Sequence, residues 1–218
     1  MKIGEIKRAA RSSLRHRWWR SLLIILIGFI IYGVIPNIIE AILSGGFDKV
    51  DTPEEPFSAV IVSLILSIGL LPIMVGQYWA FLGISRGENI KVKSLFDAFS
   101  SVALYFKSLG LIILISIFTF LWSLLFIIPG IIKALAYSQA YFIMKDNPDY
   151  SITEAITASR KLMNGHKWHF FLLLLSFIGW WILSIFTLFI GLLWLLPYIF
   201  TSWAKFYENL LDKPELAE

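Results

Sequence analysis

The chain has 218 residues, of which 58% are hydrophobic and only 16% are charged, with a formal net charge of +4 at pH 7. Together with a mean hydropathy of +0.75, this composition excludes a soluble globular domain and indicates a multi-pass membrane protein. Cysteine is absent, which excludes a disulfide framework and a thiolate metal site. The length accommodates about six membrane helices of roughly 20 residues and leaves no room for a soluble catalytic domain.

The first segment predicts an amphipathic helix over residues 3–17. Apolar side chains recur at helical spacing on one face, whereas Lys7, Arg11 and Arg15 recur every four residues on another. This pattern is typical of a helix lying on an anionic membrane surface. Alternatively, the charges are only the positive-inside signal of the membrane helix that follows, which needs no lipid specificity.

The first two membrane helices are predicted over residues 19–43 and 57–85. Pro36 predicts a kink in the first helix and Pro72 an interruption of the second. An acidic stretch with two glycines and two prolines, residues 44–57, connects them. The basic N-terminus resembles a signal peptide, but the long apolar stretch without a small-residue cleavage site favours a retained membrane helix.

The middle of the chain predicts a second amphipathic helix and two further membrane segments. Ser94 and Asp97 predict a capping-box start for the amphipathic helix, whose apolar face extends to Phe106. A third membrane helix follows over residues 108–128, and Pro129 with the glycine after it predicts a break. The fourth helix, residues 131–144, is so short that a re-entrant segment is an alternative to a full crossing.

The last third of the chain predicts the same order of elements. Ser151 and Glu154 form an S-x-x-E capping box for a third amphipathic helix, which ends at Asn164 and Gly165. Residues 169–204 contain no Asp, Glu, Lys or Arg. Because this stretch is far longer than one crossing requires, we expect a hairpin with its turn at Gly191.

These elements predict an all-α integral membrane protein with a threefold internal repeat. About six transmembrane helices form three hairpins, each preceded by a cytoplasmic-side amphipathic helix. The repeat units are residues 1–85, 86–145 and 146–211 of a single membrane domain, followed by a polar tail at 212–218. Lys and Arg cluster in the first 20 residues and around the two later amphipathic segments, so the positive-inside rule predicts that both termini are cytoplasmic.

Two groups of residues are candidates for function. Basic residues of the interfacial helices are expected to contact lipid phosphates or a partner protein; they are Lys7, Arg8, Arg11, Arg15, Arg160, Lys161 and Lys167. Polar residues within the membrane form the second group, because placing them in the hydrocarbon region costs free energy and is often associated with function. They are Glu40, Gln77, Lys133 and Gln139. Glu40 and Lys133 are both predicted near the outer boundary, where they pair, act as a gate or contact headgroups, or where Lys133 simply extends to the interface.

The sequence contains no motif for nucleotide binding, metalloproteolysis or a hydrolase nucleophile. It therefore predicts no catalytic residue, cofactor or metal site. His166 and His169 lack the convergent partners that a zinc site requires. The expected partners are anionic membrane lipids or a partner membrane protein, and not nucleic acid.

Four stretches carry a family resemblance: MKIGEIKRAARSSL, IIPGIIKALAYSQAYFIMKDNP, SITEAITASRKLMNGHKWHFF and LSFIGWWILSIFTLFIGLLWLLPY. They resemble a bacterial family of multi-pass membrane proteins known only as a domain of unknown function, number nine hundred and seventy-five. The resemblance covers nearly the whole chain and implies a bacterial plasma-membrane location without implying a reaction. More distantly, the pattern is similar to the membrane domain attached to some glycerophosphodiester phosphodiesterases, whose soluble catalytic domain is absent here.

The resulting hypothesis is a non-enzymatic membrane protein that binds lipids or a partner membrane protein through its basic helices, in envelope homeostasis. The alternative is a small transporter or flippase for a lipid or another amphipathic substrate, with the four polar membrane residues in its path.

Overall fold

The structure is a computed structural model that describes residues 2–52 and 55–212, and over these residues all regular secondary structure is helical. The tail predicted at 212–218 lies, beyond its first residue, outside the described part. In chain order the α-helices are α1 (Ile3–Leu14), α2 (Trp18–Phe29), α3 (Ile35–Ser44), α4 (Phe57–Leu70), α5 (Pro72–Ser85), α6 (Val102–Leu125), α7 (Ile127–Tyr137), α8 (Ala140–Asp146), α9 (Ile152–Leu162), α10 (Lys167–Leu175), α11 (Ile178–Phe186) and α12 (Leu192–Leu211).

Five helical segments of the described chain are long and apolar enough to cross a membrane. They are Trp18–Ser44, Phe57–Ser85, Val102–Leu125, Ile127–Asp146 and Lys167–Phe186. The predicted all-α fold is therefore confirmed, and these five segments are consistent with the membrane character predicted from composition. The helix expected to make a sixth crossing is α12, which carries Lys205 and Glu208 in its C-terminal half and is not among these five. Six crossings in three hairpins stay a prediction.

Two prolines interrupt the first two of these segments where the sequence predicts. Pro36 lies in the first turn of α3, and a π-helical turn, Ile30–Val34, separates that helix from α2. The proline ring would collide with a carbonyl in the preceding turn of a regular helix, and the wider turn relieves this collision. Pro72 begins α5 directly after the break at Leu71.

The break between α6 and α7 differs from the one predicted at Pro129 and Gly130. Phe126 has an extended backbone with φ −160° and ψ 147°, and it alone separates the two helices. Pro129 lies in the first turn of α7. Backbone N–H groups in that turn have no acceptor within the helix, so a proline, which lacks the N–H, is tolerated there. A Cβ at Gly130 would overlap Ser123 of α6. The Pro-Gly pair therefore begins the fourth segment, which at 20 residues is long enough for a full crossing.

The second amphipathic segment also differs from the prediction. A 3₁₀-helix spans Val92–Phe99 and buries Leu95 and Ala98, which are three residues apart and share a face in a three-residue turn. Ser101 then caps α6 by accepting a hydrogen bond from the backbone N–H of Leu104 at 3.1 Å. Phe106, predicted on the apolar face of the amphipathic helix, is an exposed residue of α6 instead.

The third amphipathic segment is confirmed as α9. Ser151 Oγ accepts from the N–H of Glu154, and the Ser151 N–H donates to Glu154 Oε2 at 2.7 Å. Gly165 has φ 74° and turns the chain into α10, a conformation that favours glycine.

Each of the three amphipathic segments buries its apolar face against other helices of the protein. Ile6, Ala10 and Leu14 of α1 are fully buried, and α1 packs on α12 and α5. The 3₁₀-helix packs on α5, and α9 packs on α7 and α8. The apolar face of α1 therefore contacts protein, not the lipid that the sequence pattern suggested. The helix at the centre is α5, which is almost entirely buried.

Several ends of the membrane-length segments meet on one side of the bundle. Arg17, just before α2, donates to the carbonyl of Gly87, just after α5, at 2.7 Å. Lys107 in the second turn of α6 donates to the carbonyl of Pro148, just after α8. The first segment therefore begins beside the end of the second, and the third begins beside the end of the fourth.

Candidate functional site

Four basic side chains line one depression, which we call the basic groove. Lys133 of α7, Arg160 and Lys161 of α9, and Lys167 of α10 border it, together with Ala136, Thr157 and Asn164, and its volume is about 370 Å³. None of these lining residues is acidic. None of the four cations forms an ion pair within the described part of the chain. An uncompensated cluster of like charge in a concave surface attracts anions.

Local structure explains why the cations converge there. Arg160 and Lys161 occupy the last turn of α9, where the helix dipole favours positive charge. The turn at Gly165 then places Lys167 in the first turn of α10, beside them. The groove therefore combines basic side chains with the N-terminus of a nine-residue helix, whose free N–H groups also favour anions.

A pair of hydrogen bonds fixes the distance between α9 and α7. Ser159 Oγ donates to the carbonyl of Ala136 at 2.8 Å and accepts from the backbone N–H of Gln139 at 3.1 Å. That N–H is available because the helix is interrupted between α7 and α8, at Ser138 and Gln139. Ser159 is fully buried, so the register of Arg160 relative to Lys133 is held by the core.

Lys133 is held by an aromatic ring. Its Nζ lies 4.3 Å from the ring centroid of Trp122 on α6, a cation–π contact that positions the ammonium without neutralising it. Lys133 is half-buried, and its ammonium contributes charge to the groove from the α7 side. The sequence placed this lysine near the outer membrane boundary and the cations of α9 and α10 on the cytoplasmic side. Their convergence in one groove contradicts that separation.

An apolar groove between α7 and α10 continues from the basic groove, and the two share Lys167. The first part has a volume of about 480 Å³ and is lined by Ile128, Ile131, Ile132, Leu135, Trp168 and Phe171 besides that lysine. The second part, about 410 Å³, shares three of these residues and extends to Ile178 and Trp203. A charged entrance is therefore continuous with a long apolar surface, an arrangement that matches an amphiphile.

The four basic residues predicted on the N-terminal helix lie elsewhere. Lys7 Nζ donates to the carbonyl and hydroxyl oxygens of Ser176 at 3.1 and 3.0 Å and lies 4.1 Å from the ring centroid of Phe177. Burial, and then the nearby charge of Arg11, lower the pKa of Lys7. This lysine thus stabilises the break between α10 and α11. Arg8 and Arg15 are exposed, and none of the four lines the basic groove.

Glu40 and Lys133 do not pair. Neither forms an ion pair with any described residue, and Glu40 is a half-buried residue near the end of α3. The pairing considered for these two residues is therefore absent from the described part of the structure.

The two glutamines contact neighbouring backbone and hydroxyl groups. Gln77 Nε2 donates to the carbonyl of Ile24 at 3.2 Å and joins α5 to α2. Gln139 is fully buried, and its Nε2 donates to Ser138 Oγ at 2.8 Å. The interhelical bond of Gln77 is the role that polar residues most often have between membrane helices.

A polar network that the sequence did not reveal joins α5, α8 and α12. Glu208 accepts from Ser85 Oγ at 2.8 Å and from Lys205 Nζ at 2.6 Å. Asp146 accepts from Tyr207 at 2.9 Å and also binds Arg86. The only sequence signal was that each charge lies just beyond an apolar segment. Because each carboxylate is compensated, this network contributes stability and offers no free acid or base.

The comparisons with known proteins identify a family but no activity. A family model described as "Protein of unknown function (DUF975)" matches residues 1–136 and 124–214. No curated protein matches the chain. No solved structure matches it either.

Proposed function

The chain belongs to the DUF975 family, whose function is unknown, and we propose that it is a non-enzymatic integral membrane protein that binds an anionic phospholipid. The observation that carries this proposal is the continuity of the basic groove with the apolar groove at Lys167. A phospholipid joins a phosphate to acyl chains, so one molecule satisfies both surfaces. Envelope homeostasis is the cellular role that such binding would serve.

The headgroup phosphate binds between Lys133, Arg160, Lys161 and Lys167. The guanidinium of Arg160 supplies a planar fork for two phosphate oxygens, whereas the lysines act as point charges. An acyl chain lies along α7 and α10, against Ile131, Leu135 and Phe171, which border both parts of the apolar groove. Each cation near a membrane surface contributes about 1 kcal/mol of attraction to an anionic lipid.

The membrane arrangement belongs to the same proposal. The protein lies in the bacterial plasma membrane with six crossings in three hairpins, both termini cytoplasmic, and repeat units 1–85, 86–145 and 146–211. Support comes from the first segment, which begins beside the end of the second, and from the third, which begins beside the end of the fourth. The repeat is supported by the packing of each amphipathic segment on a membrane-length or terminal helix. Arg8 and Arg15 then face the anionic inner leaflet.

The transporter or flippase alternative has less support from the geometry. It requires a path through Glu40, Gln77, Lys133 and Gln139, yet the two glutamines make hydrogen bonds inside the bundle. Lys133 alone of the four lines the basic groove. Substrate flux in proteoliposomes that is lost in Lys133→Ala would favour this alternative.

The proposal is tested by native mass spectrometry of the full chain released from detergent, titrated separately with phosphatidylglycerol and phosphatidylcholine. We expect phosphatidylglycerol to bind more tightly than phosphatidylcholine to the wild type. The double variant Lys133→Gln, Arg160→Gln removes two of the four cations and should weaken phosphatidylglycerol binding by roughly tenfold or more.

The matched control is Lys91→Gln, Lys93→Gln, which removes the same charge from exposed positions that do not line the basic groove. The control should bind phosphatidylglycerol as the wild type does. An equal loss in both double variants would mean that only net charge matters, and the groove would then not be a binding site.

A further inference from the structure

A separate cavity lies between α1, the start of α2, α11 and α12. Its volume is about 280 Å³, near the lower end of the range for ligand pockets. Aromatic and aliphatic side chains contribute to its wall, among them Trp18, Trp180, Trp194 and Leu183. None of its lining residues belongs to the basic groove or to the apolar groove.

Two of the three hydroxyl side chains that line this cavity, those of Ser184 and Thr187, are already bonded to the backbone. Ser184 Oγ donates to the carbonyl of Trp180 at 2.8 Å. Thr187 Oγ1 donates to the carbonyl of Ser184 at 3.0 Å and accepts from the N–H of Gly191 at 3.0 Å. An occupant therefore meets an apolar interior, which a hydrocarbon chain fits.

Arg11 of α1 is the one charged residue that lines the cavity. Its guanidinium carbon lies 5.6 Å from the ring centroid of Tyr198, another lining residue. The side chain is exposed and has no ion pair with any residue of 2–52 or 55–212. The cavity thus presents one uncompensated cation beside an apolar interior.

The turn between the lining residues Thr187 and Gly191 has an unusual backbone. Leu188 and Phe189, which lie between α11 and α12, have φ values of 49° and 65°. Residues without a glycine's freedom are strained in this region, and such strain concentrates at ligand clamps. Both side chains are exposed and apolar, so an acyl chain can pass from a bilayer to the cavity along apolar surface.

We propose that this cavity binds a free fatty acid, with its chain inside and its carboxylate on Arg11. A single guanidinium matches a single carboxylate, to which it donates two parallel hydrogen bonds. The volume of about 280 Å³ accommodates roughly half of a long chain, and the remainder lies along the exposed side chains of Leu188 and Phe189. The phospholipid proposed above has four cations and a longer apolar groove at its own site.

The test is photolabelling of the full chain in nanodiscs with palmitic acid that carries a diazirine near the middle of its chain. We expect saturable labelling of peptides containing Leu183 or Trp194. Arg11→Gln should raise the half-saturating concentration by roughly tenfold. Lys2→Gln, which removes the same charge beside the N-terminus of α1 and does not line the cavity, should leave it unchanged.

A second pair of variants tests the cavity independently of charge. Leu183 and Ile182 are neighbours on α11 and both are 52% exposed, but only Leu183 lines the cavity. Leu183→Phe should reduce labelling, and Ile182→Phe should not. Equal half-saturation in Arg11→Gln and wild type, or equal labelling by the matching neutral alcohol, would overturn the proposal. Stronger labelling of the same peptides by a diazirine phosphatidylglycerol would also overturn it, whatever the outcome at the basic groove.

Discussion

Arg86 donates two hydrogen bonds to Asp146, from Nη1 to Oδ1 at 2.7 Å and from Nη2 to Oδ2 at 2.6 Å. The pair joins the residue after α5 to the last residue of α8. Glu208 of α12 lies 3.6 Å from Arg86 Nε and attracts the same cation. Hydrogen bonding to Asp146 is the largest cause that raises the pKa of Arg86. One guanidinium therefore holds three distant parts of the chain together.

The first prediction concerns this pair. Asp146→Asn should lower the free energy of unfolding by about 1–3 kcal/mol, because Arg86 and Tyr207 lose an anionic acceptor in a partly buried site. Thermal unfolding in detergent measures the change. The control is Asp97→Asn, whose partner Lys145 is 3.5 Å away with both side chains more than a third exposed, and it should cost less than about 0.5 kcal/mol. Equal losses in the two variants would contradict a structural role for the Arg86–Asp146 pair.

The second prediction separates Lys7 from the exposed arginines of α1. Lys7→Met keeps an apolar stem of similar length but removes the bonds to Ser176 and the contact with Phe177. We expect unfolding to become easier by about 1–2 kcal/mol. Arg15→Met, at an exposed position of the same segment, should stay within about 0.5 kcal/mol of the wild type. Should both variants match the wild type, Lys7 would be a surface charge like its neighbours.

The sequence predicted those parts of the fold that local rules determine. The capping box at Ser151 and the interruptions at Pro36 and Pro72 depend on residues within one or two turns, and all three are present. The apolar periodicity of α1 was also recognised correctly. What periodicity does not encode is the partner of an apolar face, and the α1 face packs on α12, more than 170 residues later.

The candidate site was harder to predict than the fold, because it depends on packing between residues that are distant in sequence. The sequence predicted Arg160, Lys161 and Lys167 only as basic residues of interfacial helices, in one group with four residues of α1. Lys133 joins them because Ser159 holds α9 against α7, a contact between distant residues that a single sequence does not reveal. The break expected at Pro129 was displaced for a similar reason, since the close approach of α6 and α7 decides where the chain turns.

The third prediction concerns the closest approach between the 3₁₀-helix and α5. A Cβ at Gly76 would overlap the backbone carbonyl of Leu95, so the two elements must separate. We expect Gly76→Ala to cost about 3 kcal/mol or to prevent folding, because a backbone group cannot rotate away as a side chain does. Size-exclusion profiles and thermal unfolding in detergent measure this.

The control for that prediction is Gly179→Ala. Gly179 lies in α11, and no atom outside its local helix comes within 4 Å of the position of a Cβ there. Alanine has the higher helix propensity, so this variant should be neutral or stabilised by up to about 1 kcal/mol. Destabilisation of equal size in the two variants would show that helix glycines are needed in general, not for the contact with Leu95.

The fourth prediction is the pH dependence of α9. Hydrogen bonds from the side chain and then the backbone of Ser151 lower the pKa of Glu154. The unfolded chain binds this proton more tightly than the folded one, so the carboxylate stabilises the fold above its unfolded pKa of about 4.3. That stabilisation is lost as the pH falls through the lower, folded pKa. Glu154→Gln should therefore have a lower melting temperature than the wild type at pH 7, and this difference should shrink as the pH falls below about 4.3.

Ser151→Ala provides the companion measurement, because it removes the hydroxyl that accepts from the Glu154 N–H and holds the carboxylate in place. In this background the carboxylate has fewer partners, so replacing Glu154 by Gln should change the melting temperature less at pH 7 than it does in the wild type. Because the capping box begins the helix that carries Arg160 and Lys161, the same variants should also weaken phosphatidylglycerol binding relative to the wild type, and more at neutral pH than in acid. A gap between wild type and Glu154→Gln that is constant from neutral to acid pH would show that the capping interaction does not depend on the charge of Glu154.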